Sequence, residues 1–336
     1  MPVAKRSLVP YWQSACDRAT VYLGDCREVM ARLDADTFHS IVTDPPYGLE
    51  FMGKEWDAPW KHTQAKQRRE SELSDPVKAR YLRHNMEYVH NPSLYQQWFT
   101  ACAEQMLRLA KPGAHLLSFG GTRMWHRMAC AIEDAGFDVR DTVAWVYGSG
   151  FPKSHDIGKI LPDWKGWGSC LKPAFEPILL ARRPLEENTL AENTLTHACG
   201  GLNIDGCRVP AEKMTGWGGA AVCGEQGVTW NWSNCGLRKD GEPRPVDGRW
   251  PANFIHDGSD EVTELFPCSS SQQPREQKMK GSNGVDYGEY NTDKVAIYGH
   301  RDSGSAARFF YSAKADHTDR AHTGTAHPTV KPLDLM

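Results

Sequence analysis

A short β-branched run, Ser40-Ile41-Val42-Thr43, stops at Asp44-Pro45-Pro46-Tyr47. Two consecutive prolines fix the backbone and remove two N–H donors, so a strand cannot continue through them. The same punctuation recurs through the first 150 residues. Val21-Tyr22-Leu23 ends at Gly24-Asp25, and Cys26 to Leu33 has helical spacing, with Val29, Met30 and Leu33 on one side. Leu94 to Leu109 places Trp98, Cys102, Gln105, Met106 and Leu109 on one helical face, and Lys111-Pro112-Gly113 reads as its terminator. Ala114 to Phe119 reads as a strand, about 122–135 as a helix, and Phe137 to Tyr147 as a longer strand. Strand and helix alternating at these lengths predict an α/β sheet with helices on both faces.

From about 185 to 310 the character changes. Glycine, tryptophan and asparagine dominate, as in Gly216-Trp217-Gly218-Gly219 and Trp230-Asn231-Trp232, and helical periodicity is poor. An irregular, β-rich module is expected there, with a polar loop over 269–305. The Glu-Asn-Thr-Leu stretch at 187–190 recurs at 192–195, too closely for a structural repeat. The expected organisation is a core over 1–184, a recognition module over 185–312 and a return to the core over 313–336.

Composition excludes several classes. The formal charge of −3 rules out a histone-like polycation but allows a local basic strip. Residues 61–83 carry seven Lys/Arg against three Asp/Glu, which suits either a solvated segment or a phosphate-contacting one. No apolar run approaches the roughly 20 residues that span a bilayer, and no secretory signal is seen at the start. The 10 cysteines form no CxxC pair, so no metal site is expected, and their scatter fits a reducing cytoplasm.

The chemistry-bearing segment is Thr43-Asp44-Pro45-Pro46-Tyr47-Gly48, at the C-terminal end of a strand, where open α/β sheets bind ligands. A carboxylate, a rigid carbonyl and an aromatic ring stand together. That set suits a planar group with an exocyclic amine: Asp44 and the Pro45 carbonyl accept its hydrogens and Tyr47 stacks on its ring.

Asp44-Pro45-Pro46-Tyr47 resembles the catalytic motif of the AdoMet-dependent DNA amino-methyltransferases, the N6-adenine and N4-cytosine group. Gly24-Asp25-Cys26 and His327-Pro328-Thr329-Val330-Lys331-Pro332 are similar to cofactor-side elements of the permuted members, in which the catalytic motif comes first. Phe51-Met52-Gly53-Lys54-Glu55-Trp56-Asp57, Gly150-Phe151-Pro152-Lys153-Ser154, Lys172-Pro173-Ala174-Phe175-Glu176-Pro177 and Arg249-Trp250-Pro251-Ala252-Asn253 resemble further segments of phage and bacterial members. The resemblance covers nearly the whole chain and implies a Rossmann-like methyltransferase sheet, S-adenosylmethionine as cofactor and double-stranded DNA as substrate.

It further implies that Asp44, Pro45, Pro46 and Tyr47 carry catalysis on a base flipped out of the duplex, most closely the N6 of adenine, with N4 of cytosine as the alternative. Methylation at nitrogen needs no nucleophilic cysteine. Asp25, with Cys26, is either a contact to the adenosine end of the cofactor or a helix N-cap. His327, Thr329 and Lys331 either meet the methionine end or simply open a helix at Pro332. Lys54, Phe151, Lys153 and Arg249 are the candidate DNA contacts, and Arg182, Arg183, Arg238, Lys239 and Arg244 are either phosphate contacts or solvated surface charges.

The permuted family carries a glycine-rich AdoMet loop downstream of the His-Pro-Thr-x-Lys-Pro element, whereas this sequence reaches Met336 four residues after Pro332. The expectation is a truncated or split enzyme, inactive or completed by a separate C-terminal segment. Oligomeric state is not legible.

Overall fold

The computed structural model describes residues 8–48, 92–150, 152, 154–211, 214–215, 245–246, 248–270, 275–277, 295–297, 303–315, 319 and 331–336. The chain forms two compact units, one of residues 1–145, 173–202 and 336, the other of 146–172 and 203–335.

The first unit opens with an antiparallel pair, β1 (Trp12–Gln13) and β2 (Thr20–Val21), and the short helix α1 (Cys26–Met30). The helix expected to reach Leu33 ends at Met30. A side chain from elsewhere holds the turn that follows: Arg108 donates from Nη2 to Met30 O, at the helix end, and from Nη1 to Leu33 O, just beyond it. Strand β3 (Phe38–Thr43) follows, then α2 (Pro92–Leu109), β4 (Ala110–Phe119), α3 (Trp125–Asp134), β5 (Asp138–Val146), β6 (Phe175–Arg182) and α4 (Leu190–His197). The sheet order is β5-β6-β4-β3, with β3 parallel to β4 and β6 antiparallel to β4. This is the α/β architecture that the sequence predicts.

Lys111-Pro112-Gly113 does not terminate the helix through a loop. The chain passes from Leu109 straight into β4, and the register against β3 jumps from Phe38↔Ala110 to Ser40↔His115. Pro112 offers no ladder donor and Gly113 sits at φ +82, so both are absorbed in an irregularity at the strand's start. A Cβ at Gly113 would lie 2.5 Å from Asn193 Nδ2. Asn193, on α4, is fully buried. It accepts from Glu186 N and donates to Pro112 O at 3.0 Å and Cys199 O at 2.9 Å. The second Glu-Asn-Thr-Leu copy thus supplies a buried polar anchor, while Thr189 of the first forms a capping box with Glu192.

The core joins Tyr95, Phe99, Cys102, Ala103 and Met106 of α2 to Met128, Ala131 and Ile132 of α3, over Leu116, Leu179 and Ala181 of the sheet. Full burial of each large side chain stabilises by about 1.5–3 kcal/mol. Side chains alternate across a strand, so Phe119 and Ile178, also buried, belong to the opposite sheet face.

The second unit is built of short strands. β7 (Met214–Thr215) pairs with β8 (Pro245–Val246), β9 (Phe254–His256) runs parallel to β14 (Tyr311–Ser312), and α5 (Asp260–Thr263) follows β9. The polar stretch expected to be a loop contains two antiparallel pairs, β10 (Cys268–Ser270) with β13 (Ser303–Ser305) and β11 (Arg275–Gln277) with β12 (Val295–Ile297). Three-residue strands carry too few alternations to be seen as a period. Phe254, Phe266 and Phe310 cluster with centroids 4.8–6.0 Å apart. Arg308 fastens the β10–β13 end, donating to Gly304 O, Ser305 O and Ser269 O. Among the described residues, no helix is long and apolar enough to cross a membrane.

Candidate active site

The β3–β4 ladder closes at Thr43↔Ser118, so Asp44 is the first residue past the C-terminal end of β3. Asp44 is exposed, Pro45 is buried, and Gly48 turns the chain with φ +72, a conformation that favours glycine. Between them Tyr47 is folded back over the end of β4. A Cβ at Gly121 would lie 3.0 Å from Tyr47 Cδ2 and 3.3 Å from its Cβ and Cγ. Gly121, just after β4, therefore makes room for this ring, while its neighbour Gly120 makes room for Met128.

The hydroxyl of Tyr47 donates to Glu176 Oε2 at 2.9 Å and also meets the Asp44 carboxylate. Burial, then the negative charges of Glu176 and Asp44, push the phenol far above its ordinary range, so it stays a donor at any working pH. Glu176 arrives by topology. Because β6 runs antiparallel to β4, its first residues lie beside the last residues of β4, with Phe119 opposite Ile178 and Gly120 N donating to Pro177 O. The result is an acidic corner in which two carboxylates share one phenol. Sequence reasoning included Glu176 in a resembling segment but gave it no role; only the antiparallel return of β6 brings it to the motif.

Asp25 caps α1. Its Oδ1 accepts from Arg27 N at 2.9 Å, and its Oδ2 pairs with Arg27 Nη2 at 2.7 Å. This fits the capping alternative, and the guanidinium holds the carboxyl below its usual value. Cys26 begins α1. A hydrogen bond from the Cys102 thiol, aided by Arg27, lowers its pKa to about 7, while Cys102 is pushed up.

Arg249 is engaged within its own unit. It donates from Nη1 to Arg308 O at 3.0 Å and lies 5.1 Å from the Phe309 ring centre, and its backbone bridges Val209 in both directions. Arg183 bonds Asp36 and Ala110 O, and Arg182 lies 3.9 Å from Asp138. Lys331 is buried in the second unit. Lys54, Phe151, Lys153, Arg238, Lys239, Arg244, His327 and Thr329, together with 61–83, 216–219 and 230–232, lie outside the described residues. The sequence also carries a Pro-Cys dipeptide, Pro267-Cys268, of the kind carbon-5 methyltransferases use. Its cysteine begins β10, opposite Ser305 of β13, and its side chain is exposed.

Comparison with known proteins gives a family match described as DNA methylase (N6_N4_Mtase) over residues 38–336. The chain is 26% identical over 208 residues to the Type II methyltransferase M.HindIII of Haemophilus influenzae, an alignment covering 54% of this chain and 64% of that protein. Among solved structures, TTHA0409 from Thermus thermophilus in complex with S-adenosyl-L-methionine is 18% identical, covering 50% of this chain and 56% of that one, with a TM-score of 0.29. The cytosine-N4-specific PvuII DNA methyltransferase is 16% identical, covering 49% and 50%, with a TM-score of 0.30.

Proposed function

The chain belongs to the N6_N4_Mtase family of DNA methylases, and from that premise we propose that it methylates the exocyclic amino group of a base turned out of double-stranded DNA, at N6 of adenine. The observation that carries this reading is the Asp44-Pro45-Pro46-Tyr47 corner with its Tyr47–Glu176 bond. The chain spans 64% of the curated relative's length, so the proposal concerns the whole protein to which these residues belong.

The donor proposed is S-adenosylmethionine, and the fit lies in charge: Asp44 and Glu176 converge on one phenol and suit a cationic donor. When bound, S-adenosylmethionine supplies an electrophilic methyl group on a positively charged sulfur. The chain's residues do the rest. Asp44 and the Pro45 carbonyl accept the two amino hydrogens, which turns the nitrogen lone pair out of conjugation and toward the methyl group. As that nitrogen gains positive charge, the Asp44 carboxylate stabilises it and takes up the proton it must lose. Pro45 and Pro46 hold the loop rigid, so little reorganisation is needed. Tyr47 stacks on the extruded base, returning about 1–3 kcal/mol against the cost of unstacking.

In the same reading Cys26, His327, Thr329 and Lys331 serve the donor site, and Asp25 serves it through the α1 turn that it caps. Lys54, Phe151, Lys153 and Arg249 serve the DNA, and 185–312 carries target recognition between the core segments 1–184 and 313–336. The work is done in the cytoplasm. Adenine is favoured over cytosine because Asp stands first in the tetrapeptide, where the resembling cytosine enzymes more often have Ser. The test is methyl transfer from labelled S-adenosylmethionine to unmethylated DNA. Asp44→Ala should abolish transfer while leaving DNA affinity within twofold; unchanged transfer in that variant would overturn the assignment.

A further inference from the structure

The second unit carries a loop whose surface is more apolar than folding requires. Its ends are pinned. Ser154 Oγ accepts from Ser169 N at 2.8 Å and Cys170 N at 3.4 Å, His155 N donates to Ser169 Oγ at 2.9 Å, and Asp156 bridges Gly168. Its interior is ordered by two 3-10 turns, Ile157–Lys159 and Pro162–Trp164, and by Ile157 N donating to Trp167 O at 3.0 Å. The two limbs touch: a Cβ on Gly158 would fall 2.8 Å from Lys165 Cα, and one on Gly168 would fall 2.4 Å from Ser154 Oγ. This is a compact loop packed on itself, a class often used for function.

What it displays is unusual. Ile160 is 83% exposed, Leu171 91%, Trp167 59%, Leu161 50% and Trp164 45%. The two indoles meet edge to face with centroids 4.9 Å apart, so each holds the other in place. Lys159, Lys165 and Lys172 stand among them, all exposed. Against these three lysines stand two acids, Asp156, which accepts from Gly158 N at 3.0 Å, and Asp163, so the display carries an excess of one positive charge. A rigid apolar surface with interleaved lysines marks an interaction site, and the combination of stacking rings with cations is the chemistry of a nucleic-acid surface.

We propose that the 154–172 loop is a DNA-contact element, with Trp164 and Trp167 stacking on bases of the opened duplex and Lys159, Lys165 and Lys172 on flanking phosphates. This deepens the DNA-methylase reading and rests on it. Ser154 and Lys172 at the loop's ends belong to resembling segments, but neither tryptophan does, and the stacking role is not among the contacts that resemblance suggests.

The experiment measures binding of the full 336-residue chain to mixed-sequence duplex DNA by fluorescence anisotropy across a salt series, with and without a single extrahelical base. Trp164→Ala/Trp167→Ala should weaken binding by about 5- to 140-fold, the range for losing one stacked base, and abolish any preference for the extrahelical base. Trp164→Phe/Trp167→Phe, which keeps aromatic faces, should bind nearly as wild type. That conservative pair guards against a misfolded alanine variant. Replacing the three lysines by alanine should reduce the slope of log K against log salt by about 2–3, at roughly 0.9 per phosphate contact.

Wild-type affinity and slope in both the alanine and lysine variants, from a chain that does bind DNA, would overturn the loop assignment and leave the methylase reading standing. Absence of salt-dependent DNA binding by wild type would overturn both. Concentration-dependent self-association lost in the alanine variant, with DNA binding intact, would assign the patch to a second copy of the chain and overturn the proposal.

Discussion

Removing the Glu176 carboxylate probes the candidate site through a contact invisible to motif matching. The Tyr47 hydroxyl donates to Glu176 Oε2 at 2.9 Å and meets Asp44 as well. A hydrogen bond to a charged acceptor is worth about 1.5–3 kcal/mol net, so Glu176→Ala should lower kcat/KM by about 10- to 100-fold. Contact of both carboxylates with one hydroxyl sets them within roughly 5–6 Å of each other. At that separation like charges repel by about 3 kcal/mol at an effective dielectric of 20, and by less where Asp44 is exposed. Tyr47→Phe removes the shared donor and leaves this repulsion uncompensated.

The assay is the four-form cycle, wild type, Glu176→Ala, Tyr47→Phe and the double variant, followed by transfer of labelled methyl groups to DNA and by urea unfolding. The account predicts that the double variant is no worse than Tyr47→Phe alone, a coupling of about 1–3 kcal/mol. The unfolding arm reads the same bond without reference to activity. Multiplicative losses in both arms would refute the bond as a functional link.

Gly121→Ala places a methyl 3.0 Å from Tyr47 Cδ2, so it should destabilise by about 1–3 kcal/mol and lower turnover more than DNA affinity, checked by denaturation and kinetics together. Cys26, with its pKa lowered to about 7, should be alkylated by iodoacetamide with a midpoint near that pH, read on its own peptide by mass spectrometry; Cys102→Ala removes the hydrogen bond and should move the midpoint up toward that of an ordinary thiol. Asn193→Ala should cost about 1–3 kcal/mol in urea unfolding, because it removes three hydrogen bonds and leaves the Pro112 carbonyl without this donor, while Cys199 O keeps its bond from Thr194 Oγ1.

The periodic parts of the fold are legible in the sequence. The helix from Leu94 to Leu109 is present as α2, with Cys102, Met106 and Leu109 buried as its spacing predicts, but Trp98 and Gln105 are only half-buried and the buried face turns instead toward Tyr95, Phe99 and Ala103. The proline-stiffened stop after β3 is also where the residues imply. Lys111-Pro112-Gly113 misleads because the same residues serve a loop or a strand irregularity, and only the neighbouring strand's register distinguishes them. The Cys268–Ser270 and Ser303–Ser305 pair escapes because its central partners, Ser269 and Gly304, lie far apart in sequence and the strands have no period of their own. In the candidate site, Asp44 and Tyr47 can be read from a tetrapeptide. Glu176 cannot, because its role depends on β6 entering the sheet antiparallel, a long-range choice that local propensity does not encode. Arg249, expected from the sequence as a DNA contact, also donates from Nη1 to backbone carbonyls of its own unit, a long-range contact that local sequence does not encode.

The central claim is methyl transfer to an exocyclic amine at the Asp44 corner. Resolving the nucleosides of DNA incubated with labelled S-adenosylmethionine tests it most directly. The account predicts label in N6-methyladenine that disappears in Asp44→Ala. Label in N4-methylcytosine would contradict the choice of base, and label in neither nucleoside from protein that binds DNA would contradict the claim itself.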